Sequence, residues 1–175
     1  MEFIEKKLSS KVTYEGKVID ITLDDIELPD GTKSFREVIR HPGGVVIVAL
    51  KDANTILMVK QYRYAISEVS LELPAGKLEK GEDILLAAKR ELHEETGYIA
   101  ENWQSLGFIN TTPGICDEKL YLFLATDLKY DKPCPDEGEI ICHYEYKLDE
   151  VFELIKNGKL NDSKTICALM RAFKL

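Results

Sequence analysis

Apolar positions along the 175-residue chain change their period several times, and each change marks an element. From 11 to 40 the runs are short and extended. Lys17-Val18-Ile19-Asp20-Ile21-Thr22-Leu23 alternates in part, Pro29-Asp30-Gly31 is a turn sequence, and Ser34 to Arg40 is extended again. His41-Pro42-Gly43-Gly44 interrupts the pattern as a junction would. Behind it, Val45-Val46-Ile47-Val48-Ala49-Leu50 is apolar without a break, as expected of a strand covered on both faces. Lys51-Asp52-Ala53-Asn54 turns the chain, and Thr55 to Gln61 predicts a second strand. Over 83–96 the period lengthens to that of a helix. Leu85, Ala88 and Leu92 share one stripe, and Gly97 stands where a C-terminal cap belongs. Tyr121 to Ala125 and Ile140 to Tyr146 predict further strands. Leu148 to Asn157 predicts a helix that stops near Gly158, and Ser163 to Phe173 a last one.

Interleaved strands and helices predict an α/β layered domain over 41–175, behind a small antiparallel β piece over 1–40. The length suits one compact core with a small appended subdomain. Composition adds little, being 45% hydrophobic and 31% charged, far from the profile of a disordered chain. Charge adds more. A net −8 repels nucleic-acid backbones and anionic membranes, so the expected partner is a small molecule rather than a polymer of phosphates. An anionic substrate would then need locally gathered Arg or Lys, or a bound metal. Met1 to Leu8 holds no apolar signal core, and no run approaches the roughly 18 apolar residues of a membrane span. Cys116, Cys134, Cys142 and Cys167 lack CxxC spacing and predict reduced thiols in the cytoplasm, not a zinc site or disulfides.

Candidate chemistry concentrates between Gly76 and Tyr98. Glu91 and Glu95 are four residues apart on the predicted helix and share a face, which Glu94 extends. That acidic edge borders the Leu85/Ala88/Leu92 stripe, at the rim of the core. Like charges at this spacing repel by a few tenths of a kcal/mol per pair, roughly, so a compensator is expected. A hard divalent cation is the natural one, because Mg²⁺ takes carboxylate oxygens and keeps room for waters and substrate phosphates. Arg90 can steady one of the carboxylates through a bidentate contact.

The register of Gly76, Glu82, Arg90, Glu91, Leu92, Glu94, Glu95 and Gly97 resembles the Nudix box, with Tyr98 departing from a usually aliphatic position. The resemblance implies an α/β/α sandwich with a mixed sheet and hydrolysis of a nucleoside diphosphate linked to another group, using Mg²⁺ or Mn²⁺. It implies metal ligation by Glu91, Glu95 and the carbonyl of Ala75, with Glu94 a further ligand or a contact through water. Arg90 would orient the carboxylates and Glu82 support the loop. Pro113, 16 residues beyond Gly97, resembles the marker of the ADP-ribose pyrophosphatase branch. So do Arg36-Glu37-Val38, His41-Pro42-Gly43, Gln61-Tyr62-Arg63-Tyr64 and Leu71-Glu72-Leu73-Pro74-Ala75-Gly76, blocks that extend the likeness over nearly the whole chain.

Within that branch the resemblance implies substrate contacts from Arg36, Arg63, Gly76 and Pro113, with Arg63 on the diphosphate. Phe35 is open to two roles, stacking on adenine or strand packing. It also implies a homodimer that exchanges residues 1–40, and a glutamate base on a loop before a late strand. Pro133 to Glu139 fits that loop, with Glu139 the better match, Glu137 the second, and Gly138 between them a departure. Glu139, Glu137, Glu94 and Arg90 thus form the expected catalytic set. His41 belongs to a turn, His93 and His143 carry no assigned role, and Glu118 and Lys119 face either the substrate or each other. The expected reaction is ADP-ribose cleavage to AMP and ribose 5-phosphate. Open beside it are the same chemistry on GDP-mannose, UDP-glucose or NADH, and a non-hydrolytic ADP-ribose sensor.

Overall fold

The computed structural model describes residues 3–132 and 141–174, and the chain divides into two compact units. The first comprises Met1–Gly43 and Asn110–Lys119. Its sheet is an antiparallel meander of β1 (Lys6–Glu15), β2 (Asp20–Glu27) and β3 (Lys33–Arg40), in that order. The Pro29-Asp30-Gly31 turn forms as the sequence predicts. Gly31 takes φ 84°, open to glycine without strain, and its N–H donates to the Leu28 carbonyl at 2.9 Å. β1 begins earlier than the sequence pattern suggests, and all ten of its residues are exposed. On β2 the buried face carries Asp24, which accepts from Arg40 Nη2 at 2.7 Å and from the Ser10 hydroxyl.

The segment 110–119 joins this unit through β3, although a sequence boundary at residue 40 puts it elsewhere. Ile39 N–H donates to the Ile115 carbonyl at 2.8 Å, and Asp117 N–H donates back to Ile39 at 3.1 Å. The Asp117 carboxylate then accepts from His41 N–H at 2.9 Å and from Arg40 Nη1 at 3.2 Å.

The second unit, Gly44–Ile109 with Leu120–Leu175, is the α/β sandwich. Its strands are β4 (Gly44–Asp52), β5 (Thr55–Arg63), β6 (Glu68–Glu72), β7 (Ala75–Lys77), β8 (Tyr98–Asn110), β9 (Lys119–Tyr130) and β10 (Cys142–Lys147). They run in the order β10-β5-β4-β9-β8, with β6 on β5 and β7 on β4. β4 is parallel to β9 and antiparallel to β5 and β7, so the sheet is mixed. Gly44 through Ala49 are all buried, in keeping with their unbroken apolar run. Val45, Ile47 and Ala49 pack with Ala87, Ala88 and Leu92 of α1 (Ile84–Thr96). Val46 and Val48 pack on the opposite face with Val151 of α2 (Leu148–Lys156) and with Ala168 and Leu169 of α3 (Ser163–Phe173). Each fully buried Val, Ile or Leu side chain among them contributes roughly 1.5–3 kcal/mol.

Helices therefore cover both faces of the sheet, as the sequence predicts. β6, β7 and β8 are the strands that the hydrophobic pattern did not announce. β7 is three residues built around Gly76, and β8 is largely exposed and contains Gly107 at φ 82°. Neither presents an alternation that a periodicity argument can find.

Candidate active site

The site is made where α1 passes β7. Asp83 starts the helix by accepting from the N–H groups of Leu85 and Leu86, and Gly97 ends it at φ 73°, its N–H bonded to His93. This phase turns Arg90, Glu91, Glu94 and Glu95 toward the β7 backbone.

Arg90 is the hub. Its Nε and Nη2 grip Glu82 at 2.9 and 3.0 Å, Nη1 donates to Glu91 at 2.8 Å and to Glu94 at 2.9 Å, and Nη2 also reaches the Lys77 carbonyl at 3.2 Å. A guanidinium has five N–H hydrogens, so these contacts use its full donor capacity. Glu82 additionally accepts from Glu79 N–H at 3.0 Å, which closes the loop before the helix. The Arg90 hydrogen bond, chiefly, holds the Glu82 carboxyl below its ordinary pKa, and the same bond raises that of Arg90.

Gly76 explains itself by what faces it. A Cβ at this position would stand 1.9–2.1 Å from the carboxylate atoms of Glu91. Only hydrogen fits there. One residue away, Ala75 N–H donates to Glu95 Oε2 at 3.0 Å, and Glu95 is only 7% exposed. Gly44 on the neighbouring strand is equally constrained, since a Cβ there would meet the Gly76 carbonyl oxygen at 2.6 Å. Two glycines thus let two strands and a carboxylate approach one another closely.

Glu82, Glu91 and Glu94 gather around Arg90, with Glu95 on the Ala75 N–H beside them. Such hard oxygen donors fit a divalent cation. Among the described residues no group of three or more His, Cys, Asp or Glu side chains stands placed to hold a metal ion. Arg90 bridges Glu91 and Glu94 instead.

A second charged group lies in the same unit. Arg63, at the end of β5, donates from Nε and Nη2 to the two oxygens of Glu72 at 2.8 and 2.5 Å. Lys164 of α3 also bonds to Glu72, and bonds to Asp162 at 2.9 Å. Glu72 is 1% exposed. Burial pushes its pKa up, but the Arg63 hydrogen bonds and the Lys164 charge outweigh burial and hold it at about 2. Arg63 is held protonated first by Glu72, with smaller contributions from Asp162 and Glu95.

Arg36 and Pro113 meet in the N-terminal unit, where they line a cavity of about 550 Å³ with Asn110, Cys116, Asp117 and Lys119. Arg36 Nε donates to Glu5 at 3.0 Å, its Nη2 pairs with the same carboxylate, and Nη1 reaches the Phe35 carbonyl at 2.8 Å. Phe35 is exposed on β3. Glu118 approaches His41 Nδ1 at 3.3 Å, and that nitrogen also receives Gly43 N–H at 3.0 Å. His93 lies 3.4 Å from Asp131, and the His143 ring is edge-on to Tyr98, so the charge cluster recruits neither. Glu137 and Glu139 lie outside the described residues. The sequence reading assigned no role to Glu72 or Lys164. The available signal was a carboxylate between Leu71 and Leu73, since a charge set among apolar residues requires partners.

Residues 40–169 match the NUDIX domain. The chain belongs to the Nudix hydrolase family. Residues 5–39 of this Nudix protein match the nucleoside diphosphate sugar hydrolase N-terminal domain. It is 43% identical over 169 residues to a methanol dehydrogenase activator of Bacillus methanolicus, covering 95% of this chain and 91% of the relative. It is 40% identical over 167 residues to an ADP-ribose pyrophosphatase of Bacillus subtilis, covering 94% and 90%. An ADP-ribose pyrophosphatase of Mycobacterium tuberculosis is 34% identical, with coverage of 93% and 80%. The crystal structure of an ADP compounds hydrolase superposes with a TM-score of 0.86 over 99% of this chain and 95% of the other, at 20% identity, a likeness of fold. Nudix hydrolases work with divalent cations, in keeping with the donor set around Glu91. Among the described residues no helix is long and apolar enough to cross a membrane.

Proposed function

We propose that this Nudix hydrolase cleaves ADP-ribose to AMP and ribose 5-phosphate with Mg²⁺, for which Mn²⁺ can substitute. The observation that carries the chemistry is the Glu91 carboxylate pressed against Gly76 beside Glu95, at the edge of an Arg90-centred acidic group. The choice of ADP-ribose is supported by two relatives bearing the name ADP-ribose pyrophosphatase along most of both chains.

Glu91, Glu95 and the carbonyl of Ala75 hold the cation, with Glu94 a further or water-mediated ligand. A bound cation would supply polarisation of the phosphoryl oxygens and a lowered pKa for water. Arg90 keeps Glu91 and Glu94 aligned while staying anchored on Glu82. Arg63 binds the diphosphate as a fixed positive group in an acidic protein. Arg36 and Pro113 are assigned as further substrate contacts on their likeness to the branch. Water oxygen bonds to one phosphorus, the P–O–P bridge breaks, and the bridging oxygen leaves on the other phosphate. A carboxylate takes the water proton, assigned here to Glu139 with Glu137 second.

The same reading makes the protein a cytoplasmic homodimer joined through residues 1–40. A sheet edge whose strand is exposed along its whole length, with Leu8, Val12 and Tyr14 uncovered, supports it. Light scattering is expected to give twice the chain mass, and a monomer would discard the exchange. The functional test is product analysis with ADP-ribose, GDP-mannose, UDP-glucose and NADH, each with Mg²⁺ and with EDTA. Mg²⁺-dependent AMP from ADP-ribose ahead of the others is the expected result. Preference for another nucleotide would retain the site and discard the substrate, and binding without cleavage would make the protein a sensor.

A further inference from the structure

Glu72 is the buried residue at the end of β6, and two elements supply its cations: β5 through Arg63, and the first turn of α3 through Lys164. Each contact leaves something unspent. Arg63 gives Glu72 the Nε hydrogen and one Nη2 hydrogen. Among the described residues its remaining guanidinium hydrogens make no hydrogen bond, and the side chain is 41% exposed. The free edge, Nη1 with the other Nη2 hydrogen, is the fork that receives a phosphate through two parallel bonds.

Lys164 bears on the same oxygen of Glu72 that Arg63 Nη2 uses. Two cations and two carboxylates, Arg63, Lys164, Glu72 and Asp162, balance, so Glu72 does not neutralise Arg63 alone. The helix also holds the backbone beside the carboxylate. Asp162 caps α3 by accepting from Thr165 N–H at 3.0 Å and from the Thr165 hydroxyl at 2.6 Å. Thr165 Oγ1 in turn accepts Leu73 N–H at 2.9 Å. Glu72 is therefore clamped through its side chain and its neighbour's backbone, three residues before the Ala75 N–H that meets Glu95.

We propose that Glu72 is a positioning residue, which orients the free edge of Arg63 toward the substrate diphosphate while Lys164 shares its charge. This rests on the functional reading above.

The test is a double-mutant cycle of Glu72→Gln and Arg63→Ala, read twice. ADP-ribose binding is followed by calorimetry in EDTA, and KM and kcat are measured with Mg²⁺. Each single variant is expected to raise Kd and KM about tenfold or more, the scale of one charged hydrogen bond. The kcat of Glu72→Gln should stay within about threefold, as for lost binding rather than lost chemistry. The double variant should be no worse than Arg63→Ala alone, because Glu72 acts through Arg63. A Glu72 that acts independently of Arg63 would multiply with Arg63→Ala, and that result overturns the inference. So does wild-type affinity in Glu72→Gln. If Glu72→Gln does not fold, Glu72→Asp, which keeps the charge on a shorter stem, enters the same cycle under the same criteria. Wild-type protein that neither binds nor cleaves ADP-ribose would overturn this inference and the functional reading together.

Discussion

Replacing Gly76 with alanine adds one methyl group at the tightest point of the site. The backbone there is not in the left-handed region, so alanine meets no conformational penalty, and its cost is steric. The new Cβ would lie 1.9 Å from the Glu91 carboxyl carbon, against the 3.4 Å of ordinary contact, so the carboxylate must retreat by about 1.5 Å. That retreat breaks the 2.8 Å bond from Arg90 Nη1 to Glu91 but leaves the Arg90 grip on Glu82 intact. One charged hydrogen bond, about 1.5–3 kcal/mol, is lost from stability. Catalysis should suffer more, because a misplacement of about 1 Å can cost 10²-fold. Gly76→Ala is therefore expected to fold with Tm lowered by several degrees, to bind Mg²⁺ more weakly by calorimetry, and to lose at least about 100-fold in kcat/KM on ADP-ribose. Folded Gly76→Ala with near-normal turnover would refute the reasoning, since Glu91 would then not be needed where the structure holds it.

Glu95→Gln removes a charge but keeps an acceptor for Ala75 N–H, so it should fold normally and abolish turnover; appreciable activity in excess Mg²⁺ would remove Glu95 from the ligand set. Glu72 gives a stability change with pH. Its carboxyl is held at about 2 against an ordinary 4.5, so the contribution is complete above 4.5 and is lost as pH falls toward 2. At 1.36 kcal/mol per pH unit the ceiling is roughly 3 kcal/mol, and relaxation of the charged group reduces this to about 2. Denaturant titrations at pH 7, 4 and 3 should show Glu72→Gln losing less stability than wild type on acidification, and parallel curves would argue against the shift. Glu139→Gln should lower kcat with little change in Mg²⁺ affinity and Glu137→Gln should do so less; the opposite ranking would move the base to Glu137.

The sequence made α1 legible because its signals are local. A three-to-four residue stripe and a Gly97 stop fall within one stretch of chain, and the acidic edge follows from helix geometry. The β4 core was legible for the same reason. What escaped depends on distant partners. β8 takes its place from β9 rather than from its own alternation, and Asn110–Lys119 is defined by hydrogen bonds to Ile39. The family resemblance implied that Glu82 supports a loop, yet not that Arg90 would commit all five hydrogens. Arg63 and Glu72 stood in quoted blocks, but Lys164, 92 residues from Glu72, could be joined to them only by the fold.

The return of residues 110–119 to β3 bears on how such a chain can be inherited or rebuilt. The sequence families divide it once, between 39 and 40, as though a cassette ended there. The polypeptide instead passes between its two units at 43–44, 109–110 and 119–120. A fragment beginning at residue 41 would keep Ile115 and Asp117 but strip them of Ile39 and Arg40, orphaning two backbone bonds and one ion pair at about 1 kcal/mol each. The N-terminal piece is stitched in rather than appended. Chimaeras between relatives should therefore carry 1–43 and 110–119 from the same parent, and the two segments are expected to vary together from one relative to the next.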